Sequence, residues 1–241
     1  MIVVSLTSWT KRITNVKKVV ESIMKNTVQP DRVYLNLSKV EFQGIELPKD
    51  LVDYFNSDER LIINWVDGPD TKAMKKIFPI LDYLQDDDII IDADDDILFP
   101  EDLIESRIAD FERTGRKCCV SSNTHTSVGF NRRMKVVSAM SLFQKKMLGH
   151  WKKFVNQDIL NTHNDDRTYL TLMWLNGYLN VGCSKWNIHE LLQTHDMKLN
   201  DTSMSSGKYI KKGRIYDRIA QKVFDKLTLN KEIIKSFGFW K

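Results

Sequence analysis

Residues 86–100 read DDDIIIDADDDILFP, and no other segment constrains the chain so tightly. Ile89 to Ile91 form a short β-branched apolar run bounded by acids, which predicts a buried strand rather than a helix. Asp92, Asp94, Asp95 and Asp96 follow it directly. Carboxylates massed at the end of such a strand repel one another by about 1 kcal/mol or more per close pair. A cation at that place removes the conflict. Hard divalent ions such as Mg²⁺ and Mn²⁺ take oxygen ligands, and one or two carboxylates plus substrate phosphates is their usual shell. The stretch therefore predicts a metal-nucleotide site at the carboxyl edge of a sheet. A calcium loop is excluded: the register beginning at Asp92 needs a glycine and a glutamate where Ile97 and Leu103 stand.

Working outward, Ile2 to Leu6 reads as a first strand and SLTSWTKRI as the loop after it, with Arg12 available to an anionic or planar ligand. Val16, Val19, Val20, Ile23 and Met24 recur with helical spacing, and Thr14 or Asn15 can cap that helix. Arg32 to Leu37 and Leu61 to Val66 read as two further strands, with a short helix from Leu51 to Phe55 between them. Met74, Ile77, Phe78 and Leu81 predict a helix, kinked at Pro79. Leu103, Ile104, Ile108 and Phe111 form the buried side of a helix that starts near Pro100. Strands alternating with helices imply a mostly parallel, helix-covered α/β sheet, which binds ligands beyond the carboxyl ends of its strands. The first loop, the Gly68-Pro69-Asp70-Thr71-Lys72 turn and the acid run all fall at those ends.

The second half is less regular. Cys118 to Ser122 and Lys135 to Leu142 read as strands, and Tyr178 to Val181 as a short one. Residues 161–166 form a polar loop that enters a helix bearing Tyr169, Leu170, Met173 and Trp174 and closing at Gly177. Residues 202–208 (TSMSSGK) read as a polar loop suited to a lid, and Ile215, Ile219, Val223 and Leu227 give a basic amphipathic helix in the tail.

Composition narrows the classes. The chain has 241 residues, is 42% hydrophobic and 28% charged, and carries a net charge of +4, so it is an ordinary folded protein and not a nucleic-acid-coating one. Cys118, Cys119 and Cys183 form no metal spacing, and their odd number fits a reducing compartment. No signal-peptide pattern opens the chain and no apolar run approaches a membrane span, so the expected location is cytoplasmic. The basic tail adds peripheral contact with the inner face of a membrane.

Four segments carry a resemblance: VVSLTSWTKRI, KKIFPIL, IIIDADDDILFPEDLI and NDDRTYLTLMWLNG. In that order and spacing the chain resembles GT-A fold glycosyltransferases, close to the family-two-like bacterial sugar transferases. The resemblance covers roughly the first two-thirds of the chain and hardly touches the tail. It implies a single GT-A domain: a nucleotide-sugar-binding half over residues 1–115, a mixed acceptor-binding half over 116–207 and the basic tail over 208–241. It implies transfer of a sugar from a nucleoside-diphosphate donor, foremost a UDP-sugar, to a glycan or lipid-linked acceptor hydroxyl. Inversion and a role in surface polysaccharide or glycan synthesis go with it. The cofactor it implies is Mn²⁺ or Mg²⁺.

Residue by residue, the family's Asp-x-Asp motif falls on Asp94-Asp95-Asp96, because Ile97-Leu98-Phe99-Pro100 follows as in that form; Asp92-Ala93-Asp94 is the other register. The resemblance then gives Asp96 to the metal, Asp94 to the metal or ribose, and Asp95 to the nucleotide. Ser5, Thr7 and Arg12 are expected at the base and ribose, and Lys72 or Lys76 at the nucleotide. Asp166, with Asp165 as its alternative, is the expected base. His195, ahead of His189, is a candidate third metal ligand.

Each assignment has a plainer competitor. Asp165 and Asp166 can simply begin a helix, the lysines can form a solvated face, and Arg12 can pair with a surface acid. Two other functions stay open at this point. A sugar-phosphate nucleotidyltransferase should carry a glycine-rich loop after the first strand, and SLTSWTKR has none. A non-catalytic carbohydrate-binding or scaffold module of the same fold would bind no nucleotide.

Overall fold

A computed structural model describes residues 1–126, 135–138, 140–161, 163, 165–188 and 190–191. Nine strands and five α-helices follow one another among these residues: β1 (Ile2–Thr7), α1 (Val16–Met24), β2 (Arg32–Ser38), α2 (Lys49–Asn56), β3 (Leu61–Val66), β4 (Ile89–Ala93), α3 (Leu103–Arg113), β5 (Cys118–Ser121), β6 (Asn123–Thr126), β7 (Lys135–Ser138), β8 (Leu142–Gln144), α4 (Gln157–Leu160), α5 (Asp165–Leu175) and β9 (Leu179–Gly182). Seven strands form one sheet in the order β3-β2-β1-β4-β8-β5-β9, and β6 and β7 form a separate antiparallel pair.

The first four strands are parallel, with β1 between β2 and β4. Their carboxyl ends therefore share one edge. β8 enters antiparallel beside β4 and joins it to β5, which runs parallel to β9. All five residues of β4 are buried, as expected for a strand covered on both faces. The apolar stripe of α1 (Val16, Val19, Val20, Ile23) and that of α3 (Leu103, Ile104, Phe111) belong to the same core. The chain after β9 is strapped to α3: buried Arg107 donates to the carbonyl oxygens of Lys185 and Trp186 at 2.7 Å each, and Asp110 accepts from the backbone N–H and hydroxyl of Ser184.

The α/β class, the alternation and the four leading strands agree with the expectation. Three details differ. Residues 72–83 are two 3₁₀ segments, Lys72–Lys76 and Phe78–Tyr83, and not one α-helix. Apolar spacing of three and four suits either helix, and Pro79 has no N–H to give to an α-helical ladder. Lys135 to Leu142 is not one strand. It divides into β7 and β8, which lie in different sheets, with Met140 between them at a positive φ of 52°. Neither Thr14 nor Asn15 caps α1 through its side chain; a 3₁₀ turn at Ile13–Asn15 leads into the helix instead.

No helix among the described residues is long and apolar enough to cross a membrane. The 202–208 loop, the tail helix, His189 and His195 lie outside the described residues.

Candidate active site

Four elements meet at the carboxyl edge beside β4. They are the end of β4 itself, the loop after β1, the 3₁₀ segment 72–76 and the start of α5. Each brings charge. Asp92 is the fourth residue of β4 and is buried. Its backbone N–H bonds the Ser141 carbonyl at 3.0 Å, while its Oδ1 accepts from the Ser141 N–H. The antiparallel entry of β8 thus holds Asp92 from both its backbone and its side chain.

Across from it, Asp165 and Asp166 stand in the first turn of α5, where the helix dipole favours negative charge. One oxygen from each of Asp92, Asp165 and Asp166 lies within 4.8 Å of the others, close enough to hold one metal ion. Asp165 is buried, and its Oδ2 accepts no hydrogen bond among the described residues.

Tyr169 ties this group together. One turn along α5 from Asp166, its hydroxyl lies 3.0 Å from Asp92 Oδ2, 2.9 Å from Asp166 Oδ1 and 3.0 Å from Ser141 Oγ. A phenol carries one hydrogen, so it donates to only one carboxylate at a time. The other contact to a carboxylate is satisfied when that carboxyl carries a proton of its own. The electrostatics agree. Burial, with Asp94 and Asp165 adding to it, pushes Asp92 up to about 7 in spite of Lys76. Burial and the neighbouring Asp165 hold Asp166 well above the usual carboxylate range.

The cation of the cluster is Lys76. Its Nζ donates to Asp94 Oδ1 and lies 3.6 Å from Asp165 Oδ2. Burial alone would lower its pKa, but Asp94, Asp165, Asp92 and Asp166 outweigh that and hold it well above the ordinary lysine value. Its carbonyl oxygen accepts from Ser5 Oγ, so the segment is also pinned to β1.

Asp95 and Asp96 turn the other way, toward the loop after β1. Arg12 Nη1 reaches Asp95 Oδ1 at 2.6 Å and Asp96 Oδ2 at 3.1 Å, and Ser8 Oγ donates to Asp95 Oδ2 at 2.6 Å. Burial raises the Asp95 carboxyl against the pull of Arg12 and Ser8.

The structure therefore sorts the residues singled out in the sequence. Asp94, Asp165, Asp166 and Lys76 come together. Arg12, Asp95 and Asp96 form a second group next to them. Ser5 and Thr7 stand at the end of β1, and both hydroxyls donate to backbone carbonyls, Ser5 to Lys76 and Thr7 to Asn36 at 2.7 Å. Lys72 sits apart, paired with Asp70 and with a positive φ of 56°. Buried Lys75 binds the other oxygen of Asp70 and lies 3.7 Å from Glu41. Three members were not picked out as site residues. Asp92 appeared only as the alternative register, Tyr169 only as a core position, and Ser141 not at all. The i, i+3 spacing of Asp166 and Tyr169 on one helix was the available signal for the tyrosine.

No protein-family model and no curated protein matches the chain. Solved structures do. S. aureus TarS 1–349 superposes with a TM-score of 0.57 at 10% identity, over 99% of this chain and 74% of that one. Its complex with UDP gives 0.53 at 10% identity, over 94% and 71%. The mannosyltransferase PcManGT from Pyrobaculum calidifontis, in complex with GDP-Man and Mn²⁺, gives 0.52 at 13% identity, over 95% and 74%. The chain has the GT-A fold. At these identities the likeness is one of fold, and against a longer TarS chain the match spans 35% of its length.

Proposed function

We propose that this chain is a metal-dependent glycosyltransferase that moves a sugar from a nucleoside-diphosphate donor to an acceptor hydroxyl with inversion. The observation that carries the reading is the convergence of Asp92, Asp94, Asp165 and Asp166 around Lys76 at the carboxyl edge of β4, where open α/β sheets bind their ligands. Proteins of the same fold bind UDP in one case and GDP-Man with Mn²⁺ in another.

The residues present fit a divalent cation. An oxygen-only donor set suits Mn²⁺ or Mg²⁺, and the buried Asp165 Oδ2 accepts no hydrogen bond among the described residues and has Lys76 Nζ only at the longer distance of 3.6 Å. We take Asp94 and Asp165 as ligands: Asp165 belongs to the carboxylate group able to hold one ion, Asp94 is a ligand on the resemblance, and both pair with Lys76, whereas Asp96 pairs with Arg12. His195 remains a third candidate on the resemblance alone. When bound, the ion supplies positive charge against the diphosphate leaving group.

Asp166 takes the proton of the acceptor hydroxyl. Burial and Asp165 hold its carboxyl well above the usual carboxylate range, which makes it a stronger proton acceptor than an ordinary carboxylate, and Tyr169 holds it in place. Ser5, Thr7 and Arg12 line the nucleotide side, with a UDP-sugar as the foremost donor. Asp95 belongs to that side as well, and Lys72, which pairs with Asp70 away from the cluster, is kept there on the resemblance alone. The acceptor is a glycan or lipid-linked hydroxyl, approached from residues 116–207, in surface polysaccharide or glycan synthesis. The protein works in the cytoplasm, with the basic tail of residues 208–241 as a peripheral membrane contact.

Titration calorimetry with UDP and GDP, with and without Mn²⁺, tests the reading. The expected outcome is nucleotide binding that requires or is strongly tightened by the metal. Failure of both nucleotides to bind in its presence sinks the proposal.

A further inference from the structure

Lys76 stands between Asp94 and Asp165, the two carboxylates taken above as metal ligands. Its Nζ donates to Asp94 from the end of β4 and lies 3.6 Å from Asp165 Oδ2 at the start of α5. An ammonium and a divalent ion want the same oxygens and repel each other. We propose that Lys76 is a tethered counter-cation: it holds Asp94 and Asp165 together before metal arrives, competes with the metal for them, and then moves its charge to the donor diphosphate. This rests on the metal-dependent reading above and deepens it by naming how the site is kept in order without its ion.

Three observations support it. The backbone of Lys76 is fixed, since its carbonyl accepts from Ser5 Oγ, but its four-carbon stem has the freedom to carry the ammonium a few ångströms. Lys75 cannot take over, because it is buried the other way against Asp70 and Glu41. The site offers more oxygens than one ammonium holds: Lys76 Nζ pairs with Asp94 and Asp165, while Asp92, Asp165 and Asp166 each bring an oxygen within 4.8 Å of the others. A lysine freed from Asp94 meets phosphate as a mobile point charge, which is how lysine binds phosphate elsewhere.

Binding of Mn²⁺ alone to the full chain, followed by the electron paramagnetic resonance signal of free Mn²⁺ without nucleotide, tests this. Lys76→Met removes the competitor, so it should bind Mn²⁺ about tenfold tighter or more, whereas Lys76→Arg, which keeps the charge, should stay within about threefold of the wild type. Equal or weaker Mn²⁺ affinity in Lys76→Met overturns the proposal. Should Lys76→Met not fold, as judged by circular dichroism, Lys76→Gln is held to the same criterion. A second measurement reads the other half. With saturating Mn²⁺, the variant should lose about fivefold or more of the preference for UDP over UMP, and an unchanged preference overturns that half. The wild type alone judges the underlying reading: no Mn²⁺ bound to wild type or variant sinks both, while ordinary wild-type binding with an unaltered variant sinks only the role of Lys76.

Discussion

The acid run Asp92 to Asp96 divides into two groups with different charge balance. Asp95 and Asp96 share one arginine, and both oxygens of Asp95 are hydrogen-bonded, to Arg12 and to Ser8. Asp92 and Asp94 join Asp165 and Asp166 around one lysine, with a buried carboxylate oxygen left over. The first group closes the loop after β1 onto the sheet and is nearly self-sufficient. The second carries surplus negative charge in a buried place, which costs stability unless protons or cations arrive. The contrast teaches that position in an acidic run does not tell a ligand from a brace; what each carboxylate already holds does.

The largest effect expected is on turnover. Asp166→Asn keeps the size of the side chain and its contact with Tyr169 but removes the proposed base. Turnover should fall by about 10²–10⁴-fold, while calorimetric binding of the nucleotide with Mn²⁺ stays within a few-fold of the wild type. Sugar transfer that survives within tenfold would show that another group takes the acceptor proton.

The next prediction sets the two groups against each other. Asp95→Ala takes from buried Arg12 its 2.6 Å carboxylate partner and from Ser8 the acceptor of its hydroxyl, so it should cost about 3–5 kcal/mol in urea unfolding. Asp96→Ala leaves the Asp95 contact intact and should cost on the order of 1 kcal/mol. Mn²⁺ affinity should run the other way: Asp94→Ala abolishes it, and Asp96→Ala barely changes it. Loss of Mn²⁺ binding in Asp96→Ala would instead favour Asp94-Asp95-Asp96 as the metal motif.

What could be read from residues alone follows from which forces are local. β1 to β4, α1 and α3 announce themselves because apolar spacing within ten residues reports one element's buried face. The carboxyl-edge location of the acid run followed from their alternation, whereas Lys76 (with Lys72 as its alternative) and Asp166 came from the family resemblance. The inner group was only half legible, because Asp92 is held by Ser141 through the antiparallel pairing of β8 with β4. That pairing joins residues about fifty positions apart, and the KVVSAMSL run hides it: its β-propensity is continuous, whereas the chain turns at Met140. Arg12 was open to either a ligand or an acid; its structure shows it on two acids, 83 positions away from the nearer one in space.

The smallest effect expected is the most diagnostic of the inner group. In metal-free buffer with a chelator, Asp92 titrates near 7 in the folded chain but near 3.8 when unfolded. Between those values the folded state holds a proton that the unfolded state has released. Stability contributed by this proton is therefore full below about pH 4, falls as pH rises, and is gone above about pH 7. Asp92→Asn stays neutral throughout. Its Oδ1 can still accept from Ser141 N–H, and its amide can donate to the Tyr169 oxygen, so the fold keeps both contacts. Melting curves at pH 4.5 and 7.5 should show the variant gaining several degrees on the wild type at the higher pH, since about 1 kcal/mol corresponds to 2–4 °C in a chain of this size. Equal shifts at both pH values would mean that Asp92 is already ionised at the lower one. The shared-proton arrangement around Tyr169 would then have to place its proton on Asp166.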